Sequence, residues 1–347
     1  MRPAIKAGLL MVWRDRDTLQ IGIDPRRAVA LTGMRGTAAL IGLLDGSRDH
    51  TQVLAAAQAQ GISPDAADRV IALLTAAGAL DDFPAAALRA LPDGPRDRLA
   101  GELAAVSLAY GYADGGARVL ARRQAAFVLV HGTGPVGSSI AGLLTASGVA
   151  HVTCTGPLDQ AARQAGLPSR PPVRRSRRRV PRAGAPGRHT SPRGYLGSGQ
   201  RPDLVVLTGG WPPELPAGLV ADHIAHLAAS ASEAIGVVGP LVVPGQSACL
   251  SCLDLARTDR DPAWPVILAQ IADRDPRPAA CDAALATTVA AQATTQALAF
   301  IDQAAPATAV TNGTLELVLP GWQWRRRSWL PHRECRCSRR PATYRRM

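Results

Sequence analysis

Hydrophobic positions recur along this chain with more than one period, and the places where the period changes divide it. Residues 8–13 form a short apolar run that stops at Arg14. A polar turn, a second run at 19–23 and an extended piece at 28–31 follow, so three short strands are predicted. Helical spacing then takes over at 36–44, 52–60 and 64–77. Asp45-Gly46-Ser47 closes the first of these helices. Ser63 stands at the N-cap of the third, where Asp65 complements the helix dipole and Val70, Leu73 and Leu74 offer a stripe to the core. From 83 to 116, Pro84, Pro92, Pro95 and a glycine-rich stretch mark a connector carrying one helix at 98–110.

Beyond the connector the pattern changes again. The continuous apolar run 125–131 predicts a strand buried on both faces. It leads into Gly132-Thr133-Gly134-Pro135-Val136-Gly137, a helix at 138–147 and a second strand at 150–154. Core patterning resumes with a strand at 203–208, a helix at 217–229 and a strand at 234–238. A segment at 241–249 then ends in a cysteine. A helical piece at 253–257, a long Ala/Thr-rich helix at 283–300 and an alternating strand at 314–319 complete the set. The chain therefore reads as a small winged-helix-like α+β domain over 1–82, a connector over 83–120 and an α/β domain over 121–347. The sheet of that domain is expected to be mainly parallel. No uninterrupted apolar run approaches the ~20 residues of a membrane span, and the apolar start is too short for a signal peptide. A cytoplasmic protein with reduced thiols and no membrane partner is expected.

Charge alters the picture locally. The formal net charge is +12. Residues 160–202 hold eleven arginines and no acid, and residues 321–347 hold nine arginines against Glu334 alone, which leaves the rest of the chain at −7. A uniformly basic nucleic-acid binder has no such distribution. The Arg/Pro-rich interval 160–202 cannot bury apolar surface and is expected to be a disordered insert. The chain uses arginine almost to the exclusion of lysine, of which Lys6 is the single copy. That usage suits GC-rich coding, in which a compensated reading-frame slip would generate such a tract.

Two motifs carry chemistry. Cys249-Leu250-Ser251-Cys252 is answered, across 82 intervening residues, by Cys335-Arg336-Cys337. Two close thiol pairs suit one tetrahedral, redox-inert ion, so a structural zinc on Cys249, Cys252, Cys335 and Cys337 is expected. Free thiols or disulfides are the alternative, and four thiolates leave no open position for catalysis. The second motif is Gly132, Gly134 and Gly137 between strand and helix, which suits a phosphate at a helix N-terminus. Such a site needs an acid after the second strand for the ribose. Here Thr155-Gly156-Pro157 stands in its place and Asp159 comes too late, so packing competes with nucleotide binding as the reason for the glycines. His223 and His226, spaced i, i+3 on the predicted helix, lack a third ligand. Cys281 lacks a base, Cys154 falls in a predicted core strand, and Trp322, Trp324 and Trp329 suit a cover for the domain edge.

The segment Leu43-Leu44-Asp45-Gly46-Ser47 with Gly78-Ala79-Leu80-Asp81-Asp82 resembles the PqqD-like peptide-recognition elements, in which a leader peptide adds a strand to a small sheet. A DNA-reading winged helix is the other use of the shape, but helix 64–77 offers only Arg69 to base edges. A structural cap is the third. The glycine turn, residues 238–254, the long helix and His332-Arg333-Glu334-Cys335-Arg336-Cys337 together resemble the ThiF-type, ubiquitin-activating-enzyme-like adenylyltransferases. Closest among these are the leader-binding partners of azoline-forming cyclodehydratases. The resemblance implies zinc, a precursor-peptide leader as ligand, a separate ATP-using YcaO-type cyclodehydratase as partner, and a homodimer. It also implies ATP at the glycine turn. However, the ribose acid, the lysine and the magnesium-holding aspartate of active relatives have no counterpart here, and Gly209-Gly210 follows strand 203–208. Loss of adenylation is expected. An active adenylyltransferase and a nucleic-acid-binding regulator are the rival readings.

Overall fold

The computed structural model describes residues 1–82, 93–132, 134–155, 201–272, 280–303 and 309–338. The arginine-rich interval therefore lies outside the described residues except for Arg201 and Pro202, and so does Asp159. The chain forms two compact units, Met1–Arg122 and Arg123–Met347.

In the first unit, β2 (Met11–Trp13), β3 (Leu19–Ile21) and β4 (Val29–Leu31) form an antiparallel meander in that order. Leu19, Ile21 and Leu31 are buried against α1 (Ala39–Leu43), α2 (His50–Ala59) and α3 (Pro64–Ala76). α2 begins before its apolar spacing does because Asp49 and Gln52 cap each other reciprocally. The Asp49 carboxylate accepts from the Gln52 N–H and the Gln52 amide oxygen accepts from the Asp49 N–H, each at 2.9 Å. The Ser63 hydroxyl accepts from the Ala66 N–H at 3.2 Å, as predicted. The buried stripe of α3 is Ala67, Ile71 and Leu74; Leu73 is exposed, one helical position off the predicted stripe.

Two further strands escaped the pattern because neither carries an apolar run, β1 being Pro-Ala-Ile and β5 Leu-Asp-Asp. β1 (Pro3–Ile5) pairs antiparallel with β5 (Leu80–Asp82). Lys6 follows β1 and is buried. Its ammonium donates to Asp81 Oδ1 at 2.6 Å, Ser107 Oγ at 2.5 Å and the Tyr112 carbonyl at 2.8 Å. Ser107 lies on α4 (Asp93–Tyr110), so one cation ties three elements. A buried charge is tolerable only with this degree of pairing. α5 (Ala117–Ala125) spans the division between the units.

The second unit is a seven-stranded sheet in the order β12-β11-β10-β9-β8-β6-β7. β6 (Phe127–His131), β7 (His151–Thr155), β8 (Leu204–Thr208) and β9 (His226–Ser232) run parallel. β10 (Ile235–Val242), β11 (Gly313–Val318) and β12 (Trp324–Ser328) extend the sheet antiparallel, so it is mixed. One face carries α6 (Pro135–Ala146) and α10 (Ala283–Ile301). There Val128, Val130, Ile140, Leu144, Leu227, Val289 and Ala293 share a core. Across the sheet, Phe127, Leu129, Val205 and Leu207 meet Leu215 and Leu219 of α7 (Glu214–Ala221). α8 (Leu250–Thr258) and α9 (Trp264–Ala272) follow the sheet's inner strands.

The helix predicted at 217–229 is a correction. α7 stops at Ala221, and the Ala/Ser-rich stretch from His226 becomes β9, hydrogen-bonded between β8 and β10. Small side chains there let Leu227 and Ala229 enter the α10 core while Ala228 faces the other way; tertiary context overrides helix propensity. α10 has the length and hydropathy of a membrane span, yet half of it is buried in the core just described.

Candidate functional site

The metal centre is built from a tight turn and a returning tail. After β10, Val243 accepts at its carbonyl from the Gln246 and Ser247 N–H groups, and the Ser247 hydroxyl accepts from the Val243 N–H at 2.8 Å. Asn312 then bridges both arrivals. Its side-chain oxygen accepts from the Ala248 N–H at 2.7 Å and its carbonyl accepts from the Trp329 N–H at 3.0 Å. Cys249 is the N-cap residue of α8 and Cys252 lies in the first turn. Helical spacing therefore brings their sulfurs to 3.7 Å. The tail delivers Cys335 Sγ to 3.6 Å from Cys249 and Cys337 Sγ to 3.3 Å from Cys252.

All four ligand atoms lie within 4.8 Å of one another, with Cys249, Cys252 and Cys335 buried and Cys337 half-buried. Four thiolates at the usual Zn–S length of about 2.3 Å stand about 3.8 Å apart along the edges of a tetrahedron, close to these spacings. A disulfide needs about 2.05 Å, and all four cysteines are free. The donor set therefore fits a four-coordinate soft cation with no position left for substrate. A hydrogen bond from Cys249 favours the Cys252 thiolate and lowers its pKa to about 4, while donating that bond pushes Cys249 upward. Burial raises Cys337 to about 11. One negative charge is thus shared cheaply, and further thiolates need a cation.

Two residues that the sequence singled out without a role at the cluster support it. His332 Nδ1 accepts from the Glu334 N–H at 3.2 Å, which leaves Nε2–H to donate to Asp259 at 2.9 Å and fastens the tail to the end of α8. Trp329 is buried against Cys249, Cys252 and Cys335, donates its indole N–H to Thr314 Oγ1 at 3.0 Å, and sits under the guanidinium groups of Arg257, Arg260 and Arg327. Trp324 packs on the main core and Trp322 is exposed.

The glycine turn lies where the chain, having run from β6 to β7, crosses to β8 on the other side of β6. Open α/β sheets form their ligand crevice at such a reversal. Gly132 has φ 111°, and a Cβ there would meet the Thr208 carbonyl oxygen at 1.8 Å. A Cβ on Gly137 would meet the Gly132 carbonyl oxygen at 2.1 Å and Thr208 Oγ1 at 2.7 Å. The Thr208 hydroxyl donates to the His131 carbonyl at 3.1 Å. Close packing of β8 on the turn is therefore sufficient reason for two of the glycines. Gly134 is the N-cap residue of α6. At the carboxyl ends of β6, β7 and β8 stand His131, Thr155 and Thr208, none of them acidic, and Gly209-Gly210 follows β8. Burial lowers the pKa of His131, so its ring stays neutral near pH 7.

The histidine pair is not on a helix. His223 sits in the turn after α7 with φ 54°, and His226 opens β9, fully buried, its Nδ1 against the Ile224 carbonyl at 3.1 Å. Cys154 is exposed rather than buried, because β7 is the outermost strand of its sheet. Cys281 is half-buried.

No family model and no curated protein matches this sequence. Solved structures do match. Escherichia coli MccB with AMPCPP and selenomethionine MccA superposes with TM-score 0.63 at 13% identity, over 97% of this chain and 99% of that one. The two share a fold. A heterocyclase in complex with substrate and cofactor matches with TM-score 0.61 at 14% identity over 94% of this chain. The heterocyclase TruD matches with TM-score 0.61 at 16% identity over 95% of it. This chain spans 38% and 42% of those two heterocyclase chains. The α/β fold anticipated from the sequence is thus observed, and it is shared with MccB and the two heterocyclases.

Proposed function

We propose that this protein binds the leader of a ribosomally made precursor peptide and presents it to a separate ATP-using, YcaO-type azoline-forming cyclodehydratase. In this reading residues 1–82 are the peptide-recognition domain and residues 121–347 an adenylyltransferase-like body that no longer adenylates. The carrying observation is the contrast inside the second unit. The four-sulfur cluster is complete, whereas the crevice at the glycine turn has hydroxyl groups, a neutral histidine and glycines among its described residues. Adenylyl transfer draws most of its acceleration from fixed charges on the phosphates, and this crevice offers none among the residues just named. Zinc, held by Cys249, Cys252, Cys335 and Cys337, would supply structure by joining the tail to α8. Support from outside the chain is the shared fold with the microcin C7 biosynthetic enzyme MccB and with heterocyclases.

The rival reading, an active adenylyltransferase, is favoured by the position of the turn at the strand-order reversal and by the likeness to MccB solved with ATP. ATP–pyrophosphate exchange separates the two. Under the proposal the purified protein shows no exchange. It retains precursor peptide in fluorescence anisotropy, and the partner enzyme removes water from that peptide, seen by mass spectrometry, only when this protein is present. Peptide-dependent exchange would instead establish the enzyme.

A further inference from the structure

α9 departs from the rule by which this chain buries its helices. Its sequence, Trp-Pro-Val-Ile-Leu-Ala-Gln-Ile-Ala, holds no charge and one polar side chain, Gln270. A helix apolar on every side belongs in a core. Yet none of its side chains joins an apolar cluster of the described residues. Trp264 and Leu268, one turn apart, are half-buried. Val266, Ile267 and Ile271 are 61%, 38% and 57% exposed. Helical spacing sets these three on one continuous side, with Gln270 among them.

The helix is firmly presented. Pro265 suits its first turn, and the Val266 and Ile267 N–H groups close that turn on the Ala263 carbonyl. Trp264 donates its indole N–H to Asp254 Oδ1 at 3.2 Å, and Arg257 donates to the same oxygen at 3.3 Å. The Arg257 guanidinium lies 4.9 Å from the Trp264 ring centre and 5.6 Å from that of Trp329, which packs on the sulfur cluster. The metal clasp thus carries the base of α9.

Charge at that base is one-sided in what it leaves open. Its acids are engaged: Asp254 as just described, Asp259 by His332, and Asp261 by the Ala263 N–H at 3.0 Å. Arg327 stands 3.5 Å from Glu316, whereas Arg260, exposed at 5.7 Å from the Trp329 ring centre, meets no carboxylate among the described residues.

We propose that α9 is a docking helix, received in an apolar groove of a separate protein whose carboxylate-bearing rim meets Arg260. This rests on the peptide-carrier reading, in which that protein is the cyclodehydratase, and names the face that meets it. The larger part of each matching heterocyclase chain has no counterpart here. In the peptide-carrier reading that counterpart is a second chain, which needs a face of this one to hold. A second copy of this protein would cover the helix with the same uncharged side and leave Arg260 unanswered. Lipid is the poorer occupant as well, since three exposed apolar side chains bury too little to keep a chain at a membrane.

The test uses the full zinc-loaded chain and the purified YcaO-type enzyme of the dehydration assay, immobilised for biolayer interferometry. Ile267→Asp with Ile271→Asp is expected to weaken the complex at least about tenfold. Circular dichroism, zinc content and precursor anisotropy check that the rest of the variant is intact. Arg260→Glu is expected to slow association and flatten its dependence on salt. Leu143→Asp, on α6 and 37% exposed, is the control and should change the affinity less than about twofold. Undiminished affinity of the double variant, or an equal loss with Leu143→Asp, overturns the proposal and leaves the peptide-carrier reading standing. A wild-type chain that binds precursor but never the enzyme removes both. If the double variant keeps the enzyme yet loses a dimer seen in sedimentation, α9 belongs to a second copy. If it keeps the enzyme yet loses binding to vesicles of equal phosphatidylglycerol and phosphatidylcholine, α9 belongs to lipid. Either result overturns the proposal.

Discussion

Gly132 shows how much a single hydrogen can decide. With φ 111° and the Thr208 carbonyl oxygen 1.8 Å from a would-be Cβ, the position admits no other residue without moving β6 from β8. Gly132→Ala is expected to destabilise the second unit by about 2–4 kcal/mol in urea unfolding; a loss below about 0.5 kcal/mol would contradict the packing account. His226 makes a second residue-scale prediction. Burial lowers its pKa from 6.5 to about 4, so the folded state keeps it neutral while the unfolded chain protonates it near 6.5. Its contribution is complete above pH 6.5 and is lost as pH falls toward 4, amounting to about 3 kcal/mol over that window. His226→Leu is expected to flatten the pH dependence of the unfolding midpoint between pH 7 and 4. At this scale the sequence was partly readable. The four cysteines announced themselves by spacing, whereas Asn312, which fixes both arms of the cluster through one side chain and one carbonyl, has no neighbours that mark it out.

Among the elements, legibility followed length and context. β6, α6, β8 and α10 carry long, one-sided or wholly apolar patterns, and the sequence places them to within a few residues. β9 was hidden because its alanines favour a helix and its small side chains carry no β-branched or aromatic signal, and only its place between β8 and β10 makes it a strand. β1 and β5 were hidden because each lies outside the apolar runs that mark β2, β3 and β4, β1 as Pro-Ala-Ile before a lysine and β5 as Leu-Asp-Asp. What fixes that pair to α4 is Lys6, whose ammonium is met by a carboxylate, a hydroxyl and a carbonyl. Lys6→Met would leave Asp81 buried without its cation and is expected to cost about 3–5 kcal/mol in chemical denaturation. Lys6→Met with Asp81→Leu should recover most of that loss, and no recovery would show that packing, not charge, is what Lys6 provides.

For the whole molecule, composition alone misleads. A formal charge of +12 suggests a nucleic-acid binder, but the excess is confined to 160–202 and the C-terminal tail. The α/β architecture, in contrast, could be read from the strand, glycine turn, helix and strand that open the second unit, while its finer kind came only from the resemblance carried by that turn, residues 238–254, the long helix and the tail. The motifs reveal less about chemistry. The same glycines serve packing whether or not a nucleotide is present, so the crevice's charge inventory, not its backbone, separates a carrier from an enzyme.

The two cysteine pairs are 86 positions apart between Cys249 and Cys335, and α10, β11 and β12 lie within that span. An ion held by both pairs is therefore a padlock on a large ring of chain. In chain-entropy estimates for cross-links, closing a ring of this size is worth about 4–5 kcal/mol against unfolding. Chelation, or acid that returns protons to the sulfurs, opens the ring at its tail, where β12 is paired on one side only, with β11. A chelator should thus add new trypsin cuts at Arg325, Arg326 and Arg327 to whatever cuts the zinc-loaded chain already shows within 160–202, before the parallel strands themselves yield, and added zinc should remove them. New chelator-dependent cuts within β6, β7, β8 or β9 ahead of those at 325–327 would show that the sheet, not the sulfur clasp, governs how this protein comes apart.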